Sequence, residues 1–249
     1  MPRLRSLLAA LALGAAAVVP VMPRSVQAAP ASATQLQALE TALNSGNDIS
    51  PLLEAGPGLD PTLLELRRRT LVRQFPDAKW ALRPGTPLRD GRPTVLVNVS
   101  GTRTDGPTQY RLEATQLVTL ESSGGRINGQ TVIKDQSILR SGETLPVNLQ
   151  IPDAVLTGQR YDVDVVFEKP LDGAVAAGGI VALTPQQVAA LESPDLQLGA
   201  LGGGGLFKTV QAPLNPGSQT WAVLLVHPDG IVSATKRVRV VADKSQLNP

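Results

Sequence analysis

The chain has 249 residues, 42% of them hydrophobic, which is enough apolar material to build a core for one large domain or two ordinary ones and excludes a disordered chain. It has no cysteine, so disulfide staples, a lipid-anchoring cysteine and thiolate metal sites are all excluded. It carries 23 basic and 21 acidic residues, and three of the basic ones, Arg3, Arg5 and Arg24, stand in the first 28 residues with no acid beside them.

Those first residues have the layout of a secretory signal peptide. A basic start precedes an apolar run from Leu7 to Met22, and Val26 and Ala28 place small residues for cleavage between Ala28 and Ala29. The run contains Pro20 and falls short of the roughly 20 residues of a spanning helix, so cleavage is expected rather than anchoring. Arg3 and Arg5 are not adjacent, which excludes a twin-arginine signal. Cleavage leaves 20 basic against 21 acidic residues, and a nucleic-acid role loses its electrostatic support. The remaining chain has no other spanning hydrophobic stretch. The expected address is periplasmic or secreted, by a Sec-type signal.

Ala29 to Ala33 reads as a flexible leader. A short amphipathic helix is expected from Thr34, with Thr34 and Gln37 as a capping box, Leu36, Leu39 and Leu43 on one face, and Gly46 as the stop. One further turn fits Pro51 to Glu54. A better helix runs from Asp60, an N-cap followed by Pro61, to about Gln74, with Leu64, Leu71 and Phe75 as its stripe. Strands follow at Lys79 to Arg83, Thr94 to Thr102, Gln109 to Glu121 and Arg126 to Leu139, joined by Asp-Gly and Gly-Gly turns as an antiparallel meander. In this order of elements, Thr34 to Leu139 resembles the cystatin-like and nuclear-transport-factor-2-like α+β cone. The resemblance implies a helix packed into a curved sheet that encloses a pocket for a small ligand, for catalysis or for dimerisation.

Arg140-Ser-Gly-Glu is a short polar segment and is read as the boundary between two domains. Beyond it Leu145 to Ile151 alternates, and Arg160 to Lys169 alternates most cleanly of all, with Tyr161, Val163, Val165 and Phe167 on one face. Further strands are expected at Ile180 to Leu183, Leu196 to Leu201, Phe207 to Gln211, Thr220 to Val226 and Ile231 to Val241. Asp172 to Gly179 is read as a loop, and Thr184-Pro185-x-Gln187 as the cap of a short helix. Seven short strands suggest a β-sandwich. The segment resembles an immunoglobulin-like domain in strand count and spacing, without that fold's cysteine pair and with Trp221 as a late core candidate. The fold class expected is therefore α+β followed by all-β, with a signal peptide at 1–28, an α+β domain at 29–140, a β-sandwich at 143–242 and a tail at 243–249.

Several groups of residues invite a function. Gly202 to Gly205 before Lys208 lacks the spacing of a phosphate loop, because Leu206 and Phe207 intervene, and reads as a hairpin loop. Asp162, Asp164 and Glu168 share a strand face, but in-line neighbours lie about 7 Å apart, too far to chelate one calcium ion without loop ligands. Arg67, Arg68, Arg69 and Arg73 offer contacts to an anionic lipid, a lipopolysaccharide or an acidic partner. Against this, Glu65 is spaced to pair with Arg69, and Arg67 and Arg68 are expected at the stripe's borders with their heads in water. Phe75, Trp80 and Tyr110 are candidates to line a pocket at the helix–sheet junction, but in a chain with 3% aromatics each is expected to serve packing. His227 is the single imidazole, and His227-Pro228-Asp229-Gly230 is a turn that should direct it into water. No nucleophile motif accompanies it. No catalytic or metal-binding residue, no cofactor and no ligand site is assigned from the sequence. The function expected is an exported, non-catalytic binding or scaffold protein of the bacterial cell envelope, with a protein or an envelope polymer as partner. The alternative is an enzyme or small-molecule carrier that uses the interior of the α+β cone.

Overall fold

The computed structural model describes residues 29–142, 145–168 and 174–248, so the expected signal peptide, 1–28, lies outside the described residues. The described chain is mostly antiparallel β-sheet with few helices. Strand β1 (Ala29–Pro30) pairs with a later strand, so the start of the described chain is pinned where a flexible leader was expected. Helix α1 (Ala33–Ser45) is capped by Ser32 and Gln35, two residues ahead of the expected box, and ends on left-handed Gly46. Both spacings fit a capping box, and the helix takes the earlier one directly after β1. Helix α2 (Pro61–Gln74) begins at Asp60, whose carboxylate accepts from the amides of Thr62 and Leu63.

The meander follows as β2 (Lys79–Pro84), β3 (Val95–Asp105), β4 (Thr108–Ser123) and β5 (Arg126–Ser141). Strand β2 is an edge, and α1 closes it with side chains: Asn44 donates to Trp80 O and accepts from Trp80 N, while Glu40 accepts from Leu82 N. A free edge is thereby made unavailable for further pairing. Alternate residues of β3 and β4, such as Val97, Val99, Leu112 and Val118, form one core with Leu39, Leu43 and Leu71 of the helices.

Strands β6 (Val147–Gln150), β7 (Ala154–Leu156), β8 (Arg160–Asp162), β9 (Asp164–Phe167) and β10 (Ala176–Leu183) precede the short helix α3 (Pro185–Ala190). Then come β11 (Gly199–Leu201), β12 (Gly205–Leu206), β13 (Thr209–Gln211), β14 (Gly217–His227) and β15 (Gly230–Val241). The expected single strand at 160–169 is broken at Val163, where β8 pairs with β13 and β9 with β6 and β12. The expected loop at 172–179 is already strand from Ala176. Glycine is needed there for close approach, since a Cβ on Gly179 would stand 2.5 Å from Gln197 O. A second core joins Val165 and Phe167 of β9 to Trp221, Val223 and Leu225 of β14 and to Val232, Ala234 and Val238 of β15.

One sheet runs through both halves in the order β11-β10-β14-β15-β5-β4-β3-β2. In β5, Leu139 belongs to the first core and its neighbour Ile138 packs on the second, so the cores lie on opposite faces of this strand. Arg140 and Ser141, expected in an exposed connection, are the last residues of β5, and Ser141 is buried. Its hydroxyl accepts from Ile231 N at 2.8 Å. The β14–β15 turn rests on it so closely that a Cβ on Gly230 would stand 2.2 Å from Ser141 O. Gly230→Ala should therefore lower stability by about 1–3 kcal/mol, the usual cost of overpacking, measured by urea unfolding. An unchanged midpoint would show that the turn can shift away.

Candidate functional site

Helix α2 concentrates the unusual chemistry of the chain. Its buried residues are Glu65, Arg67, Arg68 and Leu71, while Leu66 is 52% exposed and Val72 37%. The expected pair of Glu65 with Arg69 is present, at 2.6 Å. Arg68 takes the stronger position, donating from Nε and Nη2 to the two carboxylate oxygens of Glu65 at 2.8 Å each. A bidentate fork of this kind is among the strongest side-chain interactions. Arg68's hydrogen bonds accordingly hold the Glu65 carboxyl below its usual range, and Glu65 raises Arg68. Arg67 and Arg68 thus do not reach into water, contrary to the expectation that they snorkel at the stripe's borders. Arg68 is neutralised within the helix, and Arg67 is turned to the sheet.

Beneath Arg67 the sheet is polar. Gln116 of β4, Asp135 of β5 and Arg237 of β15 are register partners in a row, beside Ser137 and Thr235, whose hydroxyls are 2.6 Å apart. Burial pushes the Asp135 carboxyl up to about 6, against a hydrogen bond with Gln116 and the charges of Arg237, Arg67 and Lys236. Burial likewise pulls the Arg67 guanidinium down to about 10, and lowers Arg237. Nε and Nη2 of Arg67 are buried without a hydrogen-bond partner. A half-satisfied ionic group of this kind contributes little to holding a helix down.

On its other side α2 borders an open groove of about 420 Å³, which runs from Gly46 at the end of α1 past Asp48, Glu65 and Arg68 to Arg69, Val72 and Arg73. Three guanidinium groups meet two carboxylates there, and Arg73 has no carboxylate within ion-pairing distance among the described residues. The interior between helices and sheet is nearly full. Its cavity of about 40 Å³ is lined by leucines, valines and Ile127 with Trp80, Gln116 and Gln130, and by no carboxylate. That is room for about three waters, on the ~10–15 Å³ that one requires.

The other sequence candidates fall into structural roles. The Asp162 carboxylate accepts from Thr209 Oγ1 at 2.6 Å, and Asp164 accepts from Lys208 N at 3.3 Å. Gly205 lies in a strand where a Cβ would stand 2.3 Å from Val165 O, and the Lys208 ammonium sits 5.4 Å above the ring of Trp221. Trp221 is itself buried and donates from Nε1 to the hydroxyl of Tyr161 at 3.0 Å. Phe75 and Tyr110 are buried and hold the Arg103 guanidinium between them, at 5.5 and 5.2 Å from the ring centres.

His227 departs from expectation. Its side chain is only 9% exposed and its ring lies 6.0 Å from Phe167. The turn that carries it is pressed onto Ser141, and the ring faces Phe167 of the second core. Its Nδ1 accepts from Asp229 N at 3.2 Å, with the Asp229 carboxylate 3.4 Å away. Sequence reasoning missed the row of Gln116, Asp135 and Arg237, whose members are brought together only by strand pairing.

Among the described residues no helix is long and apolar enough to cross a membrane, and no group of three or more acidic or histidine side chains could hold a metal ion. A search of curated proteins finds no match. Residues 142–241, from the end of β5 to the end of β15, match the family model described as a domain of unknown function, DUF8623.

Proposed function

We propose that this chain is an exported, non-catalytic binding or scaffold protein of the bacterial cell envelope, and that it takes an anionic partner, a protein or an envelope polymer, in the groove beside α2. The observation that carries the reading is the groove itself, where Arg73 is unmatched among the described residues and Arg69 shares its single carboxylate with Arg68. The interior offers little to the alternative of a small-molecule carrier or enzyme, because about 40 Å³ is far below the ~300–1,000 Å³ of a ligand pocket. In support of export, residues 1–28 have the layout of a secretory signal peptide.

At a finer level we read the N-terminal half as a cystatin-like or nuclear-transport-factor-2-like cone and the C-terminal half as an immunoglobulin-like sandwich. Two helices against a four-stranded meander support the first, and the small sheet of β6, β9 and β12 sharing a core with β10, β14 and β15 supports the second. The DUF8623 match over 142–241 supports a C-terminal module of its own.

The test is retention of envelope material by the purified chain. Charge reversal at Arg69→Glu and Arg73→Glu together should weaken capture at least tenfold, and added salt should weaken the wild type likewise, because exposed charges are screened. Equal capture by wild type and variant would remove the groove from the function.

A further inference from the structure

Helix α2 is tied to the sheet at both ends. Ahead of it, Glu54 N donates to Ile127 O at 2.8 Å and Gln130 N to Pro57 O at 2.9 Å. A Cβ on Gly56 or Gly58 would stand 1.9 or 2.0 Å from a β5 carbonyl oxygen, so the approach there is one that only glycine permits. Behind it, Phe75 is buried, and Asp77 accepts from Thr102 N at 2.6 Å and from Thr102 Oγ1 at 2.5 Å.

Between these ties Leu71 is buried and Leu64 packs against the core, but the rest of the contact is not apolar. Three of the four buried side chains, Glu65, Arg67 and Arg68, are charged, while Leu66 and Val72 face out. The sheet residues Asp135, Ser137, Thr235 and Arg237 offer hydroxyls and charges where a docked helix usually meets leucine and valine. The Glu65–Arg68 pair lies within the helix and survives its lifting, whereas taking the Arg67 charge out of water offsets much of what Leu64 and Leu71 contribute, so this helix gains less from being closed than α1 does. Helix α1, by contrast, buries Leu39, Ala42 and Leu43 and fastens the β2 edge through Asn44 and Glu40. Segments with few buried apolar contacts are those that open locally, ahead of the rest of a fold.

We infer that α2 is a strap, pinned at residues 54–58 and 75–77, that lifts from the sheet by itself and uncovers the polar row of Asp135, Ser137, Thr235 and Arg237. The motion belongs to the free chain and does not depend on what binds the groove. Native-state hydrogen exchange at pH 7, read by mass spectrometry on the whole exported chain, tests it. Once corrected for intrinsic rates, amides of 61–74 should exchange at least 100-fold faster than those of 33–45 and of β3 to β5. Exchange of α2 in step with α1 overturns the proposal, and this comparison needs no variant.

Arg67→Met then tests the cause. Methionine fills a similar space without a charge to desolvate, and Arg237 and Lys236 remain beside Asp135. Exchange of 61–74 should slow about tenfold or more, with 33–45 unchanged. Unchanged or faster exchange of 61–74 in the folded variant would show that the buried cation does not loosen the strap. A groove that fails to bind envelope material while α2 still opens alone would sink the binding reading and leave the strap intact.

Discussion

Phe75→Ala should lower the free energy of unfolding by about 3–5 kcal/mol, the usual range for truncating a buried phenylalanine. Phe75 is 2% exposed and stands where α2 ends, its amide donating to Leu71 O at 2.7 Å. The neighbouring strand leaves no slack to collapse into the space, because Gly101 is pressed on the ring's stem so closely that a Cβ there would stand 2.9 Å from Phe75 Cβ. The loss has a second component. The Arg103 guanidinium lies over the ring, and its Nε is buried without a hydrogen-bond partner, so the ring is part of what compensates that cation. Urea unfolding at constant slope measures the change. A loss under about 1 kcal/mol would mean that the helix end closes over the gap, contrary to cavity energetics, while Phe75→Leu should retain most of the packing.

The limits of α2 were legible because Asp60 and Pro61 announce its start in terms of local chemistry alone, and the capping box of α3 at Thr184 and Gln187 was legible for the same reason. Helical periodicity also placed Leu64, Leu71 and Phe75 inward. It could not place Arg67 and Arg68 there, since a periodic pattern assigns charged residues to water and the groups that receive Arg67 come from strands far along the chain. Alternation at Tyr161, Val163, Val165 and Phe167 rightly put all four in a core. It could not show the break at Val163, because facing is set by the chain's own pleat, whereas the break arises from a change of partner: Val163 N donates to Lys208 O between two ladders. The run of glycines and alanines before Ile180 read as a loop because the neighbours that require small residues, Gln197 and Leu225, are distant in sequence. The groove beside α2 was legible only as a cluster of arginines; which of them are neutralised depended on rotamers that no spacing rule supplies.

Replacing Asp135 with asparagine should change the pH dependence of stability more than any other single carboxylate substitution in the described chain. Burial raises the folded carboxyl to about 6 from an ordinary 3.8. Between those values the folded chain holds a proton on Asp135 that the unfolded chain has released. The contribution of this residue is thus fully present below about pH 4 and is lost as pH rises through 6, by roughly 3 kcal/mol at ~1.4 kcal/mol per unit. Other groups carry the opposite sign. Burial works against ionisation of Asp153, yet hydrogen bonds from Lys236 and Lys134 hold its carboxyl below the ordinary value, and Arg68 does the same for Glu65. Their stabilisation is present near neutrality and is lost as pH falls below about 4, for the wild type and the variant alike. The amide introduced by Asp135→Asn keeps an oxygen for Gln116 and cannot ionise. The stability of wild type minus that of Asp135→Asn, followed by urea unfolding from pH 4 to pH 7.5, should therefore fall by about 2.5 kcal/mol, the rest of the loss lying below pH 4, whatever the offset between the two proteins at any one pH. Parallel curves across that window would show that Asp135 titrates as an ordinary carboxylate, and the row beneath Arg67 would then have to be open to water.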